Sequence, residues 1–283
     1  MQSLVELMHK SKPVVAPAVQ DGVSALLVKE LEFPAAYIGS WATSATRYGL
    51  PDLGYITLSD MVDQVRRARE ILDIPLIVDA EGGWGNPLHV ARTVKALERA
   101  GANAVHLEDH EFGKHTGGKP RVLSTAATVD KIKAAMDARD SEDFVVIARS
   151  DALRTEGLDA TIDRVLAFQD AGADAIFLSS VYLEKSTAER LVQEATVPLV
   201  VVKDPGFTVA EHASRGAAMV LDFGVTTLAA AKAMRAALTQ LKNDEPATQE
   251  SPDDSLAETA EFDRFLGIQS HLDLIKKYGL IEH

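Results

Sequence analysis

The chain has 283 residues, 46% of them hydrophobic and 25% charged, with a formal net charge of −13 and no cysteine. That size allows a large buried core, and the missing cysteines exclude disulfides, thiolate metal sites and cysteine nucleophiles. The acidic balance argues against nucleic acid as a partner. It leaves anionic substrates open, because a metal or a few arginines can set the local field.

No apolar run approaches the roughly 20 residues that span a bilayer, so no membrane partner is expected. The start, Met1-Gln2-Ser3-Leu4-Val5-Glu6, lacks the basic and apolar regions of a signal peptide, and a cytoplasmic protein is expected.

In chain order, a first helix leads to a strand at residues 14–19 and a helix at 22–31. A second strand, 35–40, runs into a small-residue turn and a long loop, 47–55. Ser59 is the expected N-cap of the next helix, whose apolar face is Val62, Val65, Ala68 and Leu72. Regular alternation follows. Strands are expected at 75–78, 104–108, 144–149, 175–179, 198–203 and 218–222. Helices are expected at about 88–100, 129–138, 161–171, 188–194, 209–214 and 226–241.

Strands that are apolar throughout are covered on both faces, which means parallel strands with crossover helices. Eight such units predict an α/β protein, a closed (β/α)₈ barrel, over residues 1–242. Residues 243–261 are polar, acidic and marked by Pro246 and Pro252, and predict a linker or exposed loop. Residues 262–278 recover helical spacing through Phe265, Leu266, Leu272 and Ile275. The closing segment, 262–283, is therefore expected to cap its own barrel or to pack on a neighbouring subunit.

Chemistry in such a barrel sits at the C-terminal ends of the strands. Asp79 and Glu81 follow the third strand, two residues apart and able to converge. Ser40 follows the second, Glu108 and Asp109 the fourth, Arg149 and Asp151 the fifth. Ser179 and Ser180 follow the sixth, Lys203 and Asp204 the seventh, and Asp222 the eighth. Each alone could be a solvated rim residue. Several carboxylates with an arginine at one mouth predict a site for an anion and a divalent cation. Oxygen ligands favour Mg²⁺ or Mn²⁺ over zinc. The loop after the fourth strand, 108–121, has the length, glycines and charges of a mobile lid, although a solvated loop would read alike. Gly117-Gly118-Lys119 lacks the spacing of a phosphate-cradling loop. His106 lies within a strand and reads as a packed histidine.

Taken together, these residues resemble the isocitrate lyase and phosphoenolpyruvate mutase superfamily. The motifs are Ile38-Gly39-Ser40, Asp79-Ala80-Glu81-Gly82-Gly83-Trp84-Gly85-Asn86, Leu107-Glu108-Asp109, Lys114, and Ile147-Ala148-Arg149-Ser150-Asp151-Ala152. The resemblance implies Mg²⁺ held by Asp79, Glu81 and Glu108, partly through water, with Asp52 on a nearby gating loop. It implies a small anionic carboxylate as substrate, bound by Ser40 and the amides of Trp41 and Ala42. Arg149 would neutralise an anionic group of that substrate, and Lys114 would arrive with the lid. It also implies a homotetramer, or a dimer, with the C-terminal helix exchanged between subunits.

Departures from the family pattern narrow the expectation. Thr116 stands where lyases of isocitrate and methylisocitrate carry a proton-donating cysteine, and a hydroxyl is a far poorer acid. Ser179 or Ser180 replaces a glutamate those lyases place after strand six. The oxaloacetate decarboxylase branch also lacks the cysteine, but it places a histidine at the position of Gly224. The expected function is a Mg²⁺-dependent lyase that cleaves a C–C bond of a small 2-oxo or 2-hydroxy dicarboxylate, oxaloacetate-like acids first. Lys114, Thr116, Arg149 and Asp52 are its catalytic candidates and Ser179 a substrate-binding one. P–C chemistry, as phosphoenolpyruvate mutase or phosphonopyruvate hydrolase, is the alternative, and a non-catalytic barrel the lesser one.

Overall fold

A computed structural model describes residues 3–111, 113, 121–178, 185–243 and 252–280. Its strands are β1 (Val14–Pro17), β2 (Ala36–Ile38), β3 (Leu76–Asp79), β4 (Ala104–Glu108), β5 (Val145–Ser150), β6 (Ala175–Leu178), β7 (Leu199–Val202) and β8 (Ala217–Asp222). They form one sheet in the order β1-β8-β7-β6-β5-β4-β3-β2, with every pairing parallel. The bridge from Ala18 to Tyr37 brings β1 back to β2 and closes the (β/α)₈ barrel that the sequence predicts.

The first half of the helical layer holds α1 (Leu4–Met8), α2 (Gly22–Glu30), α3 (Ser40–Tyr48), α4 (Leu58–Arg69), α5 (Pro87–Ala100) and α6 (Thr125–Ala138). Then come α7 (Leu153–Glu156), α8 (Leu158–Asp170), α9 (Lys185–Glu194) and α10 (Val209–Ser214). Next in chain order is α11 (Val225–Lys242). After these lie α12 (Pro252–Phe265) and α13 (Ile268–Lys277).

Alternation along the strands makes two cores. Val105, Leu107, Val146, Ala148 and their neighbours face the helices. Ile77, Ala104, Val145, Ile147, Phe177 and Met219 face inward, joined at one end by Leu4, Leu7 and Met8 of α1. Inward positions turn polar at the strands' C-terminal ends: Asp79, His106, Glu108 and Arg149 continue the inward series.

Three local expectations change. The turn after β2 is the helix α3, entered at Gly39 and left through Gly49 in the left-handed conformation. The N-cap of α4 is Thr57, whose side chain and that of Asp60 make a reciprocal capping box, so Ser59 lies inside the helix. Residues 252–261, expected to be linker, are helical, and the expected terminal helix is the pair α12 and α13, separated by Gly267 at φ +83°.

The chain divides into two compact units, residues 1–228 and 229–283. In the second, the rings of Phe262 and Phe265 stack at 5.8 Å, while Leu256, Leu272, Leu274 and Tyr278 are exposed. No described helix is long and apolar enough to cross a membrane.

Candidate active site

Strand register assembles the site. Asp79 pairs with His106 across β3 and β4, and Glu108 with Arg149 across β4 and β5. Side chains at paired positions project to the same face, so these four crowd one end of the barrel interior. All are buried, Asp79 at 3% and Glu108 at 1% exposure.

Asp79 is held from three sides. Ser40 donates its hydroxyl to Asp79 Oδ2 at 2.8 Å, and the Glu81 amide donates to Oδ1 at 2.9 Å. His106 Nδ1 lies 3.7 Å from Oδ1, while its Nε2 meets the Tyr37 hydroxyl at 2.9 Å. His106 is fully buried against Tyr37 and Phe177, a packed histidine as expected, but one that also faces the candidate metal ligand.

Arg149 joins the second half of the site. Its Nη1 lies 3.2 Å from Glu108 Oε2 and its Nε 3.1 Å from Asp151 Oδ2, with the guanidinium over Phe177. Burial works against the cation, but Asp151, Glu108 and Asp79 outweigh it and hold Arg149 well above its ordinary range. Asp109 turns away from this group. It accepts from Ser150 Oγ at 2.6 Å and from the Asp151 amide at 3.0 Å, with Arg164 Nη1 at 3.5 Å. Its burial pushes its carboxyl upward.

The turn after β3 is backbone under constraint. Glu81 and Trp84 have φ of +49° and +53°, a region costly for residues with a Cβ and common at functional sites. Gly83 has no alternative, since a Cβ there would stand 2.4 Å from Val90 Cγ2. Trp84 Nε1 donates to the Ile56 carbonyl at 2.7 Å and ties this turn to the end of the loop that carries Asp52. Asp52 itself is half-buried, and Gly54 of the same loop lines a cavity of about 630 Å³ with Glu81, Glu108, His110 and Lys131.

The structure therefore brings together Ser40, Asp79, Glu81, Glu108 and Arg149. It sets Trp41 and Ala42 in the first turn of α3, where a helix provides no acceptor for its amides. Lys114, Thr116 and Ser179 lie outside the described residues. Two strand ends serve locally instead. Asp222 accepts from the amides of Gly224 and Val225 at the start of α11, and Lys203 donates to the carbonyls of Asp204 and Phe207.

Sequence reasoning passed over Lys131. Its Nζ donates to the Gly82 carbonyl at 2.8 Å, and burial lowers its proton affinity while Glu108 counters that. The signal was present, because Lys131 lies on the apolar stripe of α6 with Thr128, Ile132 and Ala135.

Among the described residues no three His, Cys, Asp or Glu side chains gather closely enough to enclose an ion unaided. The donor set still fits Mg²⁺, which keeps several waters and takes one or two carboxylates directly. Charge points the same way: four buried carboxylates, Asp79, Glu81, Glu108 and Asp151, face two cations, Arg149 and Lys131. A divalent cation would offset the difference.

Comparison with known proteins places the chain in a family. The sequence model of the phosphoenolpyruvate phosphomutase family matches residues 4–242. A 2-methylisocitrate lyase of Vibrio cholerae is 38% identical over 75% of this chain and 72% of its own length. A 2,3-dimethylmalate lyase of Eubacterium barkeri is 33% identical over 97% of this chain and 96% of its own. An oxaloacetate decarboxylase of Rhodopseudomonas palustris is 38% identical over 68% and 67%.

Among solved structures, oxaloacetate acetylhydrolase with 3,3-difluorooxalacetate superposes with a TM-score of 0.85 at 32% identity, covering 98% of this chain and 96% of that one. Phosphonopyruvate hydrolase with oxalate and Mg²⁺ gives 0.84 at 27% identity, covering 97% of each. The chain belongs to the phosphoenolpyruvate mutase and isocitrate lyase superfamily, on the side of its carbon–carbon lyases.

Proposed function

We propose that the protein is a Mg²⁺-dependent lyase that breaks a C–C bond beside the 2-oxo or 2-hydroxy carboxylate of a small dicarboxylic acid. Oxaloacetate and alkylmalates are the first candidates. The observation that carries this reading is the buried excess of carboxylate around Asp79, set between Arg149 and the N-terminus of α3. Relatives named for oxaloacetate, dimethylmalate and methylisocitrate support the substrate class.

Asp79, Glu81 and Glu108 would hold the cation, partly through water, with Mn²⁺ as a substitute. When bound, the cation supplies Lewis-acid stabilisation to the oxyanion that develops as the bond breaks. The chain's own groups do the rest. Ser40 and the amides of Trp41 and Ala42 bind the substrate carboxylate, an anion at a helix N-terminus. Arg149 offsets the enolate's negative charge from a fixed position, so no reorganisation is needed as that charge appears. By the family resemblance, Lys114 would arrive with the lid, Asp52 would belong to the gating loop, and Ser179 would be a substrate-binding residue. Thr116 is a weak acid, which favours substrates whose bond breaks without a strong proton donor.

The cytoplasm is the proposed compartment. A homotetramer or dimer with exchanged C-terminal helices is the proposed assembly, supported by the exposed Leu256, Leu272, Leu274 and Tyr278 of α12, α13 and the turn after them. Light scattering on the purified protein checks it; a monomer at micromolar concentration excludes it.

Turnover of oxaloacetate, alkylmalates, methylisocitrate and phosphonopyruvate, with Mg²⁺ and again with EDTA, tests the function. A 2-oxo acid released only with metal is the expected result and selects the substrate. Phosphate or phosphoenolpyruvate from phosphonopyruvate transfers the protein to P–C chemistry. Silence with no Mg²⁺ bound removes the enzyme reading.

A further inference from the structure

We infer that Lys131 is a positioning residue for the cation site: its ammonium fixes the turn that carries Glu81 and holds it against Glu108. The inference rests on the Mg²⁺ reading above.

The turn is gripped at two successive carbonyls. The Glu108 amide donates to Glu81 O at 2.9 Å, and Lys131 Nζ donates to Gly82 O at 2.8 Å. Glu81, whose amide donates to Asp79 Oδ1 at 2.9 Å just ahead of these two anchors, is kept at φ +49°. A free turn would relax from that conformation toward commoner ones, and its carboxylate would leave with it. The packing is close: a Cβ on Gly82 would meet Lys131 Nζ at 3.5 Å and the His110 carbonyl at 3.4 Å.

Lys131 is itself well placed for the task. It extends from the buried face of α6, where Thr128, Ile132 and Ala135 are fully buried, so its Cα is fixed by the barrel wall. Its side chain lines the same cavity as Glu81 and Glu108.

Charge alone does not account for an amine here. A positive group beside a cation site repels the ion it is meant to admit. Anchoring the turn does account for it, and the two explanations predict opposite signs when the amine is removed. If Lys131 only neutralises Glu108, its loss strengthens Mg²⁺ binding. If Lys131 positions the turn, its loss weakens binding despite the favourable change in charge.

The test is Lys131→Met, close in length and without donor or charge, titrated with Mg²⁺ alone by calorimetry. Melting in EDTA is measured beside it, since lost packing lowers that transition without deciding the sign of the affinity change. The expected result is a Mg²⁺ dissociation constant about tenfold higher or more, the usual range for groups that orient metal ligands. Unchanged or tighter Mg²⁺ binding by a folded variant overturns the role. Lys131→Gln, shorter and neutral, carries the same two outcomes should Lys131→Met not fold. Unsubstituted protein that binds no Mg²⁺ overturns the metal reading and this role together, whereas normal binding there with no loss in either variant overturns Lys131 alone.

Discussion

Replacing Arg149 by methionine removes the cation between Glu108 and Asp151 and keeps most of the side chain's length. The two contacts measure 3.2 and 3.1 Å, and none of the three side chains is more than 10% exposed. At an effective dielectric of about 20, each contact carries roughly 5 kcal/mol of attraction. Taking the three ions out of water costs several kcal/mol each, so forming the cluster is close to neutral. Breaking it is not, because both carboxylates stay buried after the cation is gone. The expected loss is about 3–5 kcal/mol, or roughly 5–8 °C in Tm for a chain of this size. Urea unfolding in EDTA, followed by circular dichroism, measures it, with the m-value unchanged. Arg149→Met combined with Asp151→Asn should recover about 1 kcal/mol or more, since one stranded charge is removed. A single-variant loss under about 1 kcal/mol, or a double variant that falls by the sum of the two singles, refutes the reasoning. Activity should fall about 10²- to 10³-fold if Arg149 also meets the enolate charge.

Ser40→Ala deletes the 2.8 Å hydrogen bond to Asp79 and should raise the Mg²⁺ requirement about tenfold, read from metal-dependent turnover and from calorimetry. Gly83→Ala places a Cβ at φ +79° and 2.4 Å from Val90 Cγ2, and should cost about 2–3 kcal/mol in urea unfolding; a companion Val90→Ala should return the steric part. Asp60→Asn breaks the capping box with Thr57 and should cost about 1–2 kcal/mol at neutral pH. Burial opposes the Asp60 charge, but Thr57 and Tyr48 overcome it and lower its pKa below the ordinary 3.8. Its contribution is therefore present above 3.8 and lost as pH falls further, so the gap between variant and parent should close on acidification below that value. A gap that stays constant down to pH 2.5 contradicts the assignment.

The barrel was legible because its strands are apolar on both faces, as Val145-Val146-Ile147-Ala148 is, a pattern that admits few arrangements other than a covered parallel sheet. Asp79, Glu108 and Arg149 were legible for a related reason: each is where such a run stops. α3 was not legible. Ser40-Trp41-Ala42-Thr43-Ser44-Ala45-Thr46 is poor in helix formers, and its hydroxyls compete for backbone, yet Thr43 and Thr46 bond back to the carbonyls of Gly39 and Ala42 within the helix. Lys131 escaped because sequence shows which stripe a lysine lies on and not what waits at its end. Pairings such as Glu108 with Arg149 depend on register, which no single strand discloses.

The seam between β1 and β2 bears on how the chain is made. Among the described residues β1 joins β2 through the one bridge from Ala18 to Tyr37, while its full ladder runs along β8. The first strand synthesised thus finds its main partner in the last. During translation Val14 to Pro17 must wait, apolar and unpaired, until residues 217–222 have left the ribosome. In the finished barrel Leu4, Leu7 and Met8 of α1 share the inward core with Val14 and Ala16, so the covering of this strand includes a segment made before it.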